Sequence, residues 1–249
     1  MKPQLFSRVL TRFGQGLLVL LSFWLALFLA WQSLSWLSFG YPLIYDALDI
    51  GATIQQYAPL NLYKSDFALT DRAQHLQLFA DIVTAINHSG QGLAQMVYYD
   101  RSGQVIDTLL RPAEVLHLQD VANLLDHLRT FSYWVMLCLL GLIVWFKMRQ
   151  QRLENIGATV LGVFASLIVI AVAVIAYDAQ AIFYALHTLV FPEGHQWFFY
   201  YQESLMTTLM KAPDIFAAIA LLLVSIAFGY FVFIFWWIKQ FLNRRWIRV

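Results

Sequence analysis

Four apolar runs, at about 13–40, 131–148, 157–186 and 215–238, are each long enough to cross a membrane. A hydrocarbon core ~30 Å thick takes roughly 20 residues of helix. No water inside it pairs with backbone amides, so an isolated span must satisfy its own hydrogen bonds as a helix. Composition agrees: 60% of the residues are hydrophobic and only 12% are charged, against about 25% charged in a soluble domain. The formal net charge of +1 says little about partners, because the charges are segregated.

Ten of the sixteen Lys and Arg fall in three clusters that flank the runs: Lys2, Arg8 and Arg12; Lys147, Arg149 and Arg152; Lys239, Arg244, Arg245 and Arg248. Glu154 is the only acid near them. The positive-inside rule then puts all three clusters, and both termini, in the cytoplasm. Residues 41–130 and 187–214 are expected outside, on the outer face of the cytoplasmic (inner) membrane. Lys2, Arg8 and Arg12 mimic the start of a signal peptide, but the apolar stretch that follows is too long and no A-x-A site ends it. It is read as a retained anchor. Cys138, the single cysteine, falls inside the second run, where a packing role is expected. No basic–aromatic pattern points to nucleic acid.

The expected fold is an α-helical membrane protein of four transmembrane helices, with a small mixed α/β extracytoplasmic cap between helices 1 and 2. Three parts follow: 1–40 with the first span, 41–130 as the cap, and 131–249 with spans 2–4 and an aromatic outer loop at 187–214. Within the cap, Thr70 and Asp71 precede a helical stripe of Leu76, Phe79, Val83 and Ile86, which stops near Ser89-Gly90. Residues 93–99 and 104–110 flank Asp100-Arg101-Ser102-Gly103, a hairpin signal with Gly where a positive φ is needed. Pro112 opens the next helix at its first turn. Phe191-Pro192-Glu193-Gly194 reads as a turn, Trp197–Tyr201 as an interfacial segment, and Pro213 as the start of the last span.

Two imidazoles draw attention. His187 lies where the third run leaves the membrane. Around it stand Phe183, Tyr184, Phe191, Trp197, Phe198, Phe199, Tyr200 and Tyr201. A group that titrates near neutrality at membrane depth is a functional candidate. The ordinary alternative is a snorkelling histidine in an aromatic belt. His117 shares a helical face with Asp120, Val121 and Leu124, so Asp120 is expected to orient or support it; a surface His–Asp pair is the plain alternative. His195 is held in reserve. His75, His88 and His127 read as structural. Asp178, an acid within the third run, is either functional or a polar contact in the bundle. No G-x-S-x-G elbow, H-E-x-x-H pair or phosphate loop is present.

Arg111-Pro112-Ala113-Glu114-Val115-Leu116-His117-Leu118-Gln119-Asp120-Val121 resembles a motif of the form E-x-x-H-M-x-D-V. Leu186 through Phe199 resembles a second, F-H-x-L-F-F-x-x-G-x-W-x-F. Both belong to the lipoprotein intramolecular transacylase family of bacterial membrane proteins, and the layout of spans and cap is similar over nearly the whole chain. Leu118, Leu186 and Val190 depart from the motifs at Met, Phe and Phe. The resemblance implies an acyltransferase. It moves an acyl chain of a diacylglyceryl lipoprotein from the sn-2 oxygen to the amine of the N-terminal cysteine, giving a lyso-form lipoprotein. It implies His117 and His187 as the catalytic pair, with Asp120 in support and Phe191, Trp197 and Phe199 against the substrate. No cofactor and no metal are expected; the partners are the lipoprotein and membrane lipid. Two other readings stay open: a lipid-ester hydrolase, with or without zinc on His117, Asp120 and His187, and a non-catalytic scaffold or pH sensor.

Overall fold

The computed structural model describes residues 3–64, 66–151, 153 and 156–244, without the side chains of 3–9, 170, 171, 174, 175, 177–180 and 183. Expectations for Lys2, Arg8, Arg152, Glu154, Asp178, Phe183, Arg245 and Arg248 lie outside the described residues. The chain divides into two compact units. The first gathers residues 1–30, 129–184 and 224–249; the second gathers 31–128 and 185–223.

The first unit is helical. Its elements are α1 (Pro3–Trp36), the later part of α5 (Pro112–Met148), most of α6 (Gly157–Val190) and most of α8 (Asp214–Asn243). Among the described residues three helices are long and apolar enough to cross a membrane: Leu10–Trp36, Pro112–Met148 and Asp214–Asn243. The chain is therefore a multi-pass membrane protein. Its buried face is a zip of large apolar side chains, among them Leu18, Leu139, Phe146, Phe231 and Ile238. Small residues let the helices approach: a Cβ on Gly14 would sit 3.2 Å from the Phe146 ring. Lys147 Nζ donates to the carbonyls of Phe241 (2.7 Å) and Arg244 (2.8 Å), which satisfies orphan acceptors at the end of α8. Two expectations are corrected. Cys138 is exposed on α5 rather than packed. The first helix stops at Trp36, before residue 40, because Ser38, Phe39 and Gly40 take positive φ.

The second unit holds the cap sequence together with residues 185–223. It adds α2 (Tyr41–Ala47), α3 (Ile50–Tyr57), α4 (Arg72–Asn87), strands β1 (Val97–Tyr99) and β2 (Val105–Thr108), and α7 (Leu205–Met210). Asp71 caps α4, accepting from Gln74 N at 2.9 Å. The buried stripe of α4 is His75, Leu78, Phe79, Ile82 and Val83, one position off the expected one at Leu76 and Ile86. β1 and β2 pair antiparallel across the expected turn. There Asp100 Oδ1 accepts from Ser102 N (2.8 Å) and Gln104 N (3.0 Å), and Gly103 has φ +82°. The strands are shorter than the apolar runs that announce them.

His75 is a core histidine, 3% exposed. Thr70 Oγ1 donates to Phe67 O, so it accepts from His75 Nε2 at 2.6 Å. His75 Nδ1 then accepts from the Tyr45 hydroxyl at 2.8 Å. Burial holds this imidazole neutral, with its pKa pushed down to about 4.

Candidate active site

Helix α5 is 37 residues long, about 55 Å at 1.5 Å per residue, far more than one span requires. Its apolar stretch is the C-terminal half; the first half, up to Leu128, belongs to the second unit. That half carries Glu114, His117 and Asp120.

The start of α5 is built as half a capping box. Pro112 sits at the first helical position, where no amide hydrogen is needed. Glu114, at the third, reaches back so that Oε2 accepts from Arg111 N at 2.6 Å. Its other oxygen accepts from the Ser204 hydroxyl. Ser204 in turn accepts from Thr207 N at 2.9 Å and so caps α7. The Glu114 carboxylate is fully buried; burial raises its pKa, while Ser204 and Arg111 work against that shift. One acid therefore ties the first turn of α5 to the 191–204 loop. His117 follows three residues later on the same face.

His187 occupies the last turn of α6, and Phe191 N donates to His187 O at 2.9 Å, carrying that turn one step further. Phe191 is thus brought over the His187 ring, 5.4 Å between centroids. A tight turn follows in which His195 N donates to Pro192 O at 3.2 Å with Gly194 at φ +84°. It lies one residue later than the expected turn. From Trp197 to Tyr200 burial alternates, as in an extended segment: Trp197 and Phe199 turn inward while Phe198 and Tyr200 are exposed. Trp197 packs on His187 at 4.6 Å, and Phe199 on His117 at 5.9 Å.

The two candidate imidazoles meet on one ring. Phe191 lies 5.0 Å from His117 and 5.4 Å from His187, so their separation cannot exceed the sum of these distances. The histidines are 70 positions apart in the chain. Burial first, and the charge of a protonated His187 second, push the His117 pKa down to about 4, with Asp120 acting weakly in the other direction. His117 is therefore a neutral imidazole at pH 7. Its Nδ1 is buried without a hydrogen-bond partner.

Asp120, expected to orient or support His117, takes its hydrogen bond from another imidazole. Asp120 Oδ2 accepts from His195 Nδ1 at 2.7 Å, and the aspartate reaches His117 only through its field. The helical spacing allowed the first pairing, but the turn after Phe191 delivers a second imidazole to the carboxylate. His195 and Gln196 separate Gly194 from Trp197, one residue more than the second motif has. Residues that spacing alone did not single out are Arg111, Glu114 and Ser204; the signal for Glu114 was its place at the third position of a helix opened by proline. Among the described residues no group of three His, Cys, Asp or Glu side chains is placed to hold a metal ion.

Residues 16–216 match the family model described as "Lipoprotein intramolecular transacylase Lit". No curated protein matches the chain. Among solved structures, the fold is similar to the membrane integral lipoprotein intramolecular transacylase Lit of Bacillus cereus, in a form carrying a histidine-to-arginine mutation. The TM-score is 0.63, the identity 15%, and the match covers 96% of this chain and 95% of that one.

Proposed function

This chain belongs to the lipoprotein intramolecular transacylase family, an acyltransferase working within a lipoprotein, and we propose that His117 and His187 are the pair that carries its transfer. The observation behind this reading is the Phe191 ring shared by both imidazoles. The acyl chain moves from the sn-2 oxygen of the diacylglyceryl group to the amine of the N-terminal cysteine. The amine nitrogen attacks the ester carbonyl carbon, the carbon–oxygen bond to the glyceryl group breaks, and an amide forms. One proton leaves the amine and one arrives on the glyceryl oxygen, so a single imidazole can shuttle it.

We assign that shuttle to His187. An α-amine has a pKa near 8, within reach of an imidazole acting as general base. His117, held neutral by burial, suits a different task. A neutral imidazole donates an N–H to the developing oxyanion without first having to lose or gain charge. Both reacting groups belong to one molecule, so the protein's main work is to fold the substrate. Orientation of this kind is worth on the order of 7–11 kcal/mol in favourable cases. Phe191, Trp197 and Phe199 form apolar walls that shape the acyl ester and keep hydrolytic water away. Asp120 acts through His195, holding the aromatic loop on α5.

The basic clusters support a fourth span in α6, cytoplasmic termini and a second unit on the outer face of the inner membrane. That face brings the histidines level with lipid ester groups.

Co-expression with a diacylglyceryl lipoprotein, followed by mass spectrometry of its N-terminal peptide, tests the proposal. Wild-type protein yields the lyso form; His117→Ala and His187→Ala each abolish it while the protein still inserts. Full activity in either single variant ends the two-histidine mechanism.

A further inference from the structure

Resting on the transacylase reading, we infer that Arg111 and Asn61 are substrate-binding residues, a cradle of hydrogen-bond donors that holds uncharged carbonyl oxygens of the lipoprotein beside His117. Buried polar groups are nearly always paired. Among the described residues the unpaired buried side-chain atoms are Ser22 Oγ, in the first unit, and four in the second: Asn61 Nδ2, Arg111 Nε, Arg111 Nη2 and His117 Nδ1. The amide and guanidinium nitrogens can only donate. A buried donor without a partner costs stability that a ligand's acceptors would recover.

The four atoms are linked through shared neighbours. Asn61 Oδ1 accepts from Tyr63 N (3.0 Å) and Lys64 N (2.9 Å), which fixes the amide and leaves Nδ2 as the idle end. The Tyr63 ring stacks on the Arg111 guanidinium, 4.3 Å from Cζ to centroid. Phe199 lies 6.0 Å from the same Cζ and 5.9 Å from the His117 ring. Glu114 does not use up the guanidinium. Its Oε2 is 3.6 Å from Arg111 Nε, too far for a hydrogen bond, and both of its oxygens already accept from Arg111 N and Ser204.

Charge identifies the ligand class. Arg111 faces Glu114 and Lys64 faces Asp107 at 3.7 Å, so the positive charges are already balanced. What remains is donor capacity without surplus charge. That suits a neutral carbonyl better than the phosphate of a lipid headgroup, and a lipoprotein N-terminus offers ester and peptide carbonyls in a row. Tyr63 covers the guanidinium yet is 59% exposed; turning this one side chain admits the ligand.

The test uses full-length protein in detergent with a synthetic diacylglyceryl lipopeptide, and a second lipopeptide whose first peptide carbonyl is reduced to a methylene. Arg111→Met should lower kcat/KM about a hundredfold, with Arg111→Lys recovering little because the fork is lost. Asn61→Asp keeps the acceptor for the Tyr63 and Lys64 amides and replaces the idle donor with an anionic oxygen; it should lower kcat/KM about tenfold. If the cradle grips the peptide, the Arg111→Met penalty falls on KM and disappears with the reduced substrate. If it grips the ester, the penalty falls on kcat and persists. Folded variants with wild-type kcat and KM on both substrates overturn the inference. Should Arg111→Met fail to fold, wild-type kcat and KM in Asn61→Asp overturn it alone. Absence of lyso product from wild-type protein overturns the transacylase reading, and this inference with it.

Discussion

Asp120 accepts a hydrogen bond from His195 Nδ1 at 2.7 Å, joining the third turn of α5 to a loop 75 positions away. Both side chains are largely sheltered, at 11% and 29% exposure. The bond closes the short turn that carries Phe191 on one side and Trp197 on the other. Asp120→Ala and His195→Ala should each slow lyso-lipoprotein formation, and the double variant should be no slower than either. The coupling expected of a contacting pair is about 0.5–3 kcal/mol. Asp120→Asn keeps an acceptor for His195 and should lose much less. A silent His195→Ala beside a dead Asp120→Ala would return Asp120 to His117 and sink the clamp. Rates from the four combinations decide it.

Phe191 and Phe199 separate catalysis from stability. Phe199 is buried, 6% exposed, and Phe199→Ala should destabilise the protein by about 3–5 kcal/mol, visible as an earlier melt. Phe191 is only half-buried. Phe191→Leu nearly preserves apolar bulk and should cost under about 1.5 kcal/mol. It removes the ring that both imidazoles pack against, so kcat should fall tenfold or more, roughly the cost of slight misplacement. A Phe191→Leu enzyme with full kcat would mean that the shared ring is incidental.

Much of this arrangement is legible in the residues, and the boundary has a physical cause. Spans are announced by hydropathy, because the bilayer forces helix on any long apolar run. The Asp100–Gly103 turn and the proline start of α5 are local signals and fall where expected. Pairings between distant positions are not local. His-x-x-Asp spacing suggests a contact within the helix, yet the closer partner of Asp120 comes from beyond α6. Helices α2, α3 and α7 carry only six to eight residues each, too few for periodicity to register. They form because tertiary contacts hold them: Tyr41 donates to Leu209 O at 2.5 Å, and Lys211 to Leu48 O at 2.6 Å. The expected stripe of α4 did not include His75, although its buried face takes in that residue together with Phe79 and Val83.

The core histidine gives a pH signature. His75 has a folded pKa of about 4, below the ordinary ~6.5. A depressed pKa means the unfolded chain takes up protons first as pH falls. Its contribution is fully present above pH ~6.5 and is lost progressively as pH drops toward 4. The span between the two values corresponds to on the order of 3 kcal/mol. His117, displaced in the same direction, adds to the slope. Melting curves between pH 7 and 4.5 should show wild-type protein weakening with acid. His75→Gln, which can still hydrogen-bond Tyr45 and Thr70, should be less stable at pH 7 and flatter across the range. Equal slopes in the two proteins would contradict the neutral buried imidazole.

Glu114 is the joint between helix start and aromatic loop, and its replacement should reveal which partner matters. Glu114→Ala leaves the Arg111 guanidinium buried beside no acid and Ser204 without its acceptor. Breaking a buried pair on one side costs about 3–5 kcal/mol, enough to unfold a marginal second unit. Glu114→Gln keeps an oxygen for one of the two donors and should fall between. Ser204→Ala removes the cap of α7 as well, at about 0.5–2 kcal/mol, but leaves Glu114 bound to Arg111 N. The order of melting temperatures should therefore be wild type, then Ser204→Ala and Glu114→Gln, then Glu114→Ala. Lyso-form yield should follow that order if Glu114 works by fixing where His117 stands. Should Glu114→Gln melt like wild type yet produce no lyso form, the carboxylate would have to act on the substrate itself, and the capping role would not account for it.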